Sequence, residues 1–194
     1  DPQPYGLTVM GASLAFAATT TARGIDLWVV NSAATASPPA ATSVEVRAGT
    51  ASAWPSDLAV MDGVAYFAAT DGPATSPQRQ LWSLDDTNGT NTLTVHGFTD
   101  PDQITAGVRS VTFTACDGNN VRQLYEYYPV SAKGPGVNRT EVLNMNTSIA
   151  GATVHDLTLV GLDLWFGATD SQGDVAYKLR AAGPFTGGQR VIPV

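Results

Sequence analysis

Short runs of alternating apolar and polar residues recur along the chain, separated by clusters of Gly, Pro, Asn, Asp and Ser, which is the pattern of strands and turns. No segment sustains a 3.6-residue apolar period, so helix is not expected. Four segments align without a gap: 7–20 (LTVMGASLAFAATT), 58–71 (LAVMDGVAYFAATD), 104–117 (ITAGVRSVTFTACD) and 157–170 (LTLVGLDLWFGATD). Each opens on an aliphatic residue and places a phenylalanine nine positions later, at Phe16, Phe67, Phe113 and Phe166. These phenylalanines lie 51, 46 and 53 residues apart, a period close to that of propeller blades and too long for leucine-rich or ankyrin repeats.

Inside each segment a short strand, a tight turn and a second strand read as a hairpin. A third strand is expected at 25–30, 79–84, 122–127 and 175–179, carrying Trp28, Trp82, Tyr125 and Tyr177 in turn. A fourth closes each repeat near 44–46, 93–96, 141–143 and 190–192. Apolar residues fall on both faces of these strands, as with Tyr66 beside Phe67 and Leu81 beside Trp82. Both faces then need cover, which neighbouring blades supply and an open antiparallel sheet does not. The expected fold is all-β: one four-bladed β-propeller over residues 1–194, four antiparallel strands per blade, with blades near 5–47, 57–96, 102–144 and 156–193. The four third-strand aromatics read as core between blades, the alternative being a ligand platform. The first strand (5–10) and the last (189–192) each fall inside their own repeat, so each blade is whole and ring closure rests on side-chain packing.

The second repeat reads Tyr66-Phe67-Ala68-Ala69-Thr70-Asp71-Gly72, a loop, then Arg79-Gln80-Leu81-Trp82-Ser83-Leu84-Asp85-Asp86-Thr87-Asn88-Gly89-Thr90. This resembles the ELWxxDGT-repeat (hyalin-like) family of extracellular, propeller-forming surface proteins, with Asp85-Asp86-Thr87 where the family has its DGT turn. The first repeat keeps Asp26-Leu27-Trp28, the third keeps Asp117-Gly118 and Gln123-Leu124-Tyr125, and the fourth keeps little beyond its second strand. The resemblance implies an adhesive or structural surface protein and brings no catalytic residues with it.

At 194 residues the chain suits a single all-β domain, and its formal net charge is −7, with only Lys133 and Lys178 as lysines. Such a chain is repelled by phosphate backbones and anionic membranes, so nucleic acid is not an expected partner. No stretch has the length and apolarity of a membrane-spanning helix, and the amino terminus lacks the features of a signal peptide, so membrane insertion is not expected and the chain is expected either never to have had a leader or to have lost it. Sequons at Asn88, Asn138 and Asn146 permit N-glycosylation and accord with a secreted or cell-surface location. The single cysteine, Cys116, rules out an internal disulfide framework; it reads as a small buried hydrophobe, with pairing between chains as the alternative.

Catalytic patterns are sparse. The only histidines are His96, expected in solvent at the end of an outer strand, and His155, expected just before an inner strand; neither accompanies a G-x-S-x-G turn or zinc-ligand spacing. Gly134-Pro135-Gly136 and Gly187-Gly188 lack the lysine of a phosphate loop and read as turns. One constellation remains. In each repeat the first strand starts and the second ends at the same place, which gathers Asp57, Asp102, His155 and Asp156 with Asp71, Asp117 and Asp170 around one mouth of the expected channel. Such carboxylates suit a hard cation, Ca²⁺, as cofactor. The alternative is that each Asp accepts hydrogen bonds within its own turn, which Asp-Gly at 71–72 and 117–118 favours. The leading expectation is a non-enzymatic extracellular module that assembles with itself or other surface proteins. A propeller lectin is the alternative, with glycans as partner and Trp54 and His155 as ligand contacts. A polysaccharide-acting enzyme using paired carboxylates comes third.

Overall fold

The alternation seen in the sequence becomes strands throughout. The computed structural model describes residues 3–31, 39–72, 78–86, 90–108, 110–129, 139–142, 153–161, 163–170, 173–179 and 191–193, and none of these is helical. The first repeat folds as β1 (Tyr5–Met10), β2 (Ser13–Thr20), β3 (Gly24–Asn31) and β4 (Ala41–Val44). The second follows as β5 (Ser56–Met61), β6 (Val64–Thr70), β7 (Arg79–Asp85) and β8 (Thr92–Ala106). Next come β9 (Val111–Cys116), β10 (Arg122–Tyr128) and β11 (Arg139–Val142), then β12 (Thr153–Val160), β13 (Asp163–Asp170), β14 (Gly173–Leu179) and β15 (Val191–Pro193). All the pairings are antiparallel meanders. The chain divides into two compact halves, Asp1–Pro101 and Asp102–Val194. The first holds β1-β2-β3-β4 and β5-β6-β7-β8; the second holds β8-β9-β10-β11 and β12-β13-β14-β15.

The all-β antiparallel class is therefore as expected, but the strands form three sheets where four separate blades were expected. The difference lies in β8, which runs unbroken through the segment expected to separate the strand at 93–96 from the one near 104. Left-handed residues at Gly97 (φ +72°), Asp100 (φ +50°) and Gln103 (φ +54°) bend this segment without ending it. The buried Pro101 has no N–H to leave unpaired, so it is tolerated within the strand. The fourth strand of the first repeat also sits earlier than expected, at Ala41–Val44 rather than 44–46.

Local geometry repeats as the sequence does. The residue preceding the opening aliphatic has a left-handed backbone in all four repeats: Gly6 (φ +63°), Asp57 (φ +54°), Gln103 (φ +54°) and Asp156 (φ +56°). In the first, second and fourth repeats the strand register slips by one across this residue, between Tyr5 and Thr8, Ser56 and Ala59, and His155 and Thr158. This is a β-bulge, which bends the strand and sharpens its twist. Thr8, Thr105 and Thr158 each donate a side-chain hydrogen bond back to the carbonyl of the left-handed residue, at 3.1, 3.3 and 3.1 Å.

The phenylalanine of each second strand lies directly across from the third-strand aromatic: Phe16 and Trp28, Phe67 and Trp82, Phe113 and Tyr125, Phe166 and Tyr177. The last two pairs stack, with centroids 5.8 and 5.6 Å apart. In the first half, Met10, Leu27, Val29 and Val44 of the first repeat share one buried cluster with Ala65, Phe67, Ala69, Trp82 and Leu84 of the second. In the second half, Leu124 of the third repeat shares a cluster with Leu164, Phe166, Ala168 and Tyr177 of the fourth. Phe67, Phe113 and Phe166 are buried as expected, and so are Trp82, Tyr125 and Tyr177. Phe16 and Trp28 are only half-buried.

Candidate functional site

Three local arrangements carry side chains that could meet another molecule. The first is a strap before β5. Ser52 accepts the Ile25 N–H on its hydroxyl (3.0 Å), Ala53 donates its N–H to the Ile25 carbonyl (2.7 Å), and the Ala53 carbonyl accepts from the Thr70 N–H (2.8 Å). Ala53 and Pro55 are buried, and Trp54 between them is turned outward with 54% of its surface exposed. Its φ of +53° lies in the left-handed region, which costs a side-chain-bearing residue about 1–2 kcal/mol. The same device recurs one repeat later, where Asp100 (φ +50°) precedes the buried Pro101. Asp is a residue that tolerates this backbone; Trp is not.

The strap leads into a polar group. Ser56 donates to the Asp57 carboxylate at 2.5 Å, Arg79 approaches Asp57 at 3.8 Å, and Arg79 also donates to the Ser56 hydroxyl. Arg79 is placed by register, since it opens β7 opposite Thr70 at the end of β6. Tyr5, 40% exposed on β1, lies within electrostatic reach of Arg79; burial raises its pKa and the guanidinium partly offsets that rise. Arg79, Ser56 and Tyr5 escaped the sequence reading. The legible signal for Arg79 was a cation at the start of a strand whose partner strand ends in Thr70-Asp71.

The second arrangement surrounds His155. Its Nδ1 lies 2.9 Å from the Asp156 carboxylate and its Nε2 3.4 Å from Asp174 and 3.3 Å from the Thr169 hydroxyl. The hydrogen bond to Asp156 leads the causes that raise the imidazole pKa, with Asp174 adding to it. Asp174 is held below the usual carboxylate range by the Thr169 hydroxyl first and His155 second. A hydroxyl, an imidazole and a carboxylate in sequence are the parts of an activated nucleophile. Here, however, Thr169 donates its proton to Asp174 and not to the imidazole. The ring sits over Gly167, where a Cβ would come within 2.3 Å of it. His155 was expected ahead of its strand; it lies inside β12, which starts two residues earlier, at Thr153.

The third is the open face of the first repeat, where Pro4, Phe16, Ala18, Thr20, Trp28 and Ala41 line a pocket of about 270 Å³. In the second and fourth repeats the equivalent faces, around Phe67 with Trp82 and Phe166 with Tyr177, lie in the buried clusters.

Of the carboxylates expected around one mouth, Asp57, Asp117 and Asp156 are engaged locally. Asp117 accepts the backbone N–H groups of Asn119 (2.8 Å) and Val121 (2.9 Å), which lower its pKa, Val121 contributing more. That is the turn chemistry expected as the alternative to ion binding. Asp57 faces Ser56 and Arg79, and Asp156 faces His155. Asp71 follows the end of β6, Asp102 lies within β8, and Asp170 ends β13. Among the described residues no group of three or more His, Cys, Asp and Glu is placed to hold a metal ion. His96, expected in solvent, is half-buried within β8; its Nε2 lies 2.9 Å from the Ser83 hydroxyl and burial lowers its pKa. The reason is that its ring also lies against that of Tyr66, with centroids 6.1 Å apart. Cys116 is partly exposed and free. The sequons Asn88, Asn138 and Asn146 lie outside the described residues.

Comparison with family models, with curated proteins and with solved structures finds no match to this chain, so its residues and geometry alone carry the functional reading.

Proposed function

We propose that this chain is a non-enzymatic extracellular module that assembles with further copies of itself, its four repeats serving as the blades of one small propeller. The observation that carries this reading is the open aromatic face of the first repeat. A face of the same composition is covered twice inside the chain by the third strand of the preceding repeat, at Leu27 and at Leu124. In the first repeat the corresponding pair, Phe16 and Trp28, stays half-buried.

A second copy seated on this face removes its remaining apolar surface from water. The likeness of the second repeat to extracellular ELWxxDGT repeats supports a role outside the cell.

The test is light scattering across a concentration series for the wild-type chain, for Trp28→Glu and for a chain lacking residues 1–4. The expected result is concentration-dependent association that both changes weaken. A wild-type chain that stays monomeric at every concentration refutes the reading.

A further inference from the structure

We infer that the strap ahead of β5 presents Trp54 as a stacking platform for a neutral carbohydrate, with Ser56, Asp57 and Arg79 supplying hydrogen bonds to its hydroxyls and Tyr5 as a second aromatic edge. The site is separate from the open face of the first repeat and does not depend on self-assembly.

Neither backbone preference nor burial accounts for Trp54. Backbone preference does not, because φ of +53° favours Gly, Asn or Asp, and the fold places Asp at the equivalent position, Asp100. Burial does not, because more than half of the side-chain-bearing residue faces solvent while both its neighbours are buried. A large aromatic is thus held in an unfavourable backbone on a strap anchored to β3 and β6, with 54% of the residue exposed. A strained backbone together with an exposed aromatic points to use of the ring by a ligand. Anchoring adds to this, since a platform fixed in advance loses little freedom when something stacks on it.

The neighbouring chemistry selects the ligand class. Ser56, Asp57 and Arg79 lie at the same end of the second repeat as Trp54, at the start of β5 and of β7. Together they offer donors and acceptors, and the pairing of Arg79 with Asp57 leaves no net charge there. A chain of net charge −7 also disfavours anionic sugars. An apolar face bordered by neutral, paired polar groups is the pattern of a polar ligand held by stacking and oriented by a few hydrogen bonds. A pyranose fits it: its C–H face meets the indole and its hydroxyls meet the carboxylate and guanidinium. A proline-rich peptide also docks on aromatic residues, but it carries few hydroxyl-like donors to use Asp57.

The experiment is native affinity electrophoresis of the full chain through gels containing hydroxyethylcellulose, galactomannan or dextran, with polygalacturonate as the charged control. The expected result is retardation by at least one neutral polysaccharide, weakened about tenfold or more in Trp54→Ala and in Trp54→Gly. The glycine variant guards against a trivial loss of fold, because its backbone suits φ of +53°; its melting temperature should equal or exceed that of the parent. Arg79→Gln should weaken retardation while leaving the melting temperature nearly unchanged. No retardation by any neutral polysaccharide overturns the inference, as does retardation unaltered in Trp54→Gly. Binding of a polyproline decamer that is lost in Trp54→Gly, without polysaccharide binding, reassigns the platform to peptide and overturns it equally. Since the gels are run at a concentration where the chain is monomeric, none of these outcomes bears on self-assembly.

Discussion

Truncating the repeated phenylalanine separates a covered face from an open one. Phe67 is 0% exposed and shares its cluster with Leu27, Val29, Ala65 and Trp82. Phe67→Ala removes a buried ring and leaves a cavity among β-strands that collapse poorly, so the expected cost is about 3–5 kcal/mol. Phe16 occupies the same register position opposite Trp28, but a pocket of about 270 Å³ already opens beside it. Its loss creates little new void, and only the transfer of its half-covered surface remains, about 1–2 kcal/mol. Urea unfolding of both variants at low protein concentration measures the difference, with the two halves fitted as separate transitions if two are seen. The cost of Phe16→Ala should then grow with protein concentration, since a second copy that binds only the folded chain adds stability by mass action. Equal costs for the two variants in the monomer refute the idea that the first face is open. A Phe16→Ala cost that is independent of concentration refutes the idea that another copy covers it.

Gly167→Ala places a methyl where the His155 imidazole lies; it should expel the ring and return the His155 titration, followed by NMR, toward its ordinary value near pH 6.5. The two histidines should also pull stability in opposite directions with pH. His155 has a raised folded pKa, so its contribution is complete below about pH 6.5 and is lost as pH rises through the folded value; His155→Gln should flatten that loss. His96 has a lowered folded pKa, so its contribution is complete above about pH 6.5 and is lost as pH falls toward the folded value; His96→Gln should flatten the acid side of a melting-temperature profile. The buried Asp26 carboxylate accepts the N–H groups of Leu27 (2.9 Å) and Val46 (3.2 Å), while burial raises its pKa. Asp26→Asn keeps an acceptor and sheds a buried charge, so it should raise the melting temperature, whereas Asp26→Ala should cost about 1–3 kcal/mol. The opposite order in thermal unfolding contradicts this account.

Local chemistry explains which parts were legible. The second-strand phenylalanines and third-strand aromatics were readable because a strand exposes its side chains with a period of two, and hairpin pairing then sets the partners. The left-handed residue ahead of each opening aliphatic was not. Gly6 hints at it, but Gln103 adopts the same backbone with no compositional sign, because tertiary bonds of its side-chain amide to Val154 and Leu157 hold it there. Asp117 was readable as turn chemistry, since Asp-Gly is a turn signal on its own. Arg79 with Asp57 was not, because the two are brought together by the pairing of β5, β6 and β7.

Residue order by itself determined the antiparallel all-β class, the four repeated hairpins and the aromatic pairs within them, since each depends on neighbours close in sequence. Tertiary structure alone decided that β8 runs through an expected break, that Phe16 lacks the cover given to Phe67, and that a strap locks Trp54 outward. These depend on which strand lies against which. A bend remains part of a strand only where ladder bonds on both sides sustain it, and an aromatic face is core only where another face is pressed onto it. Neither condition is written in the residues that form the bend or the face.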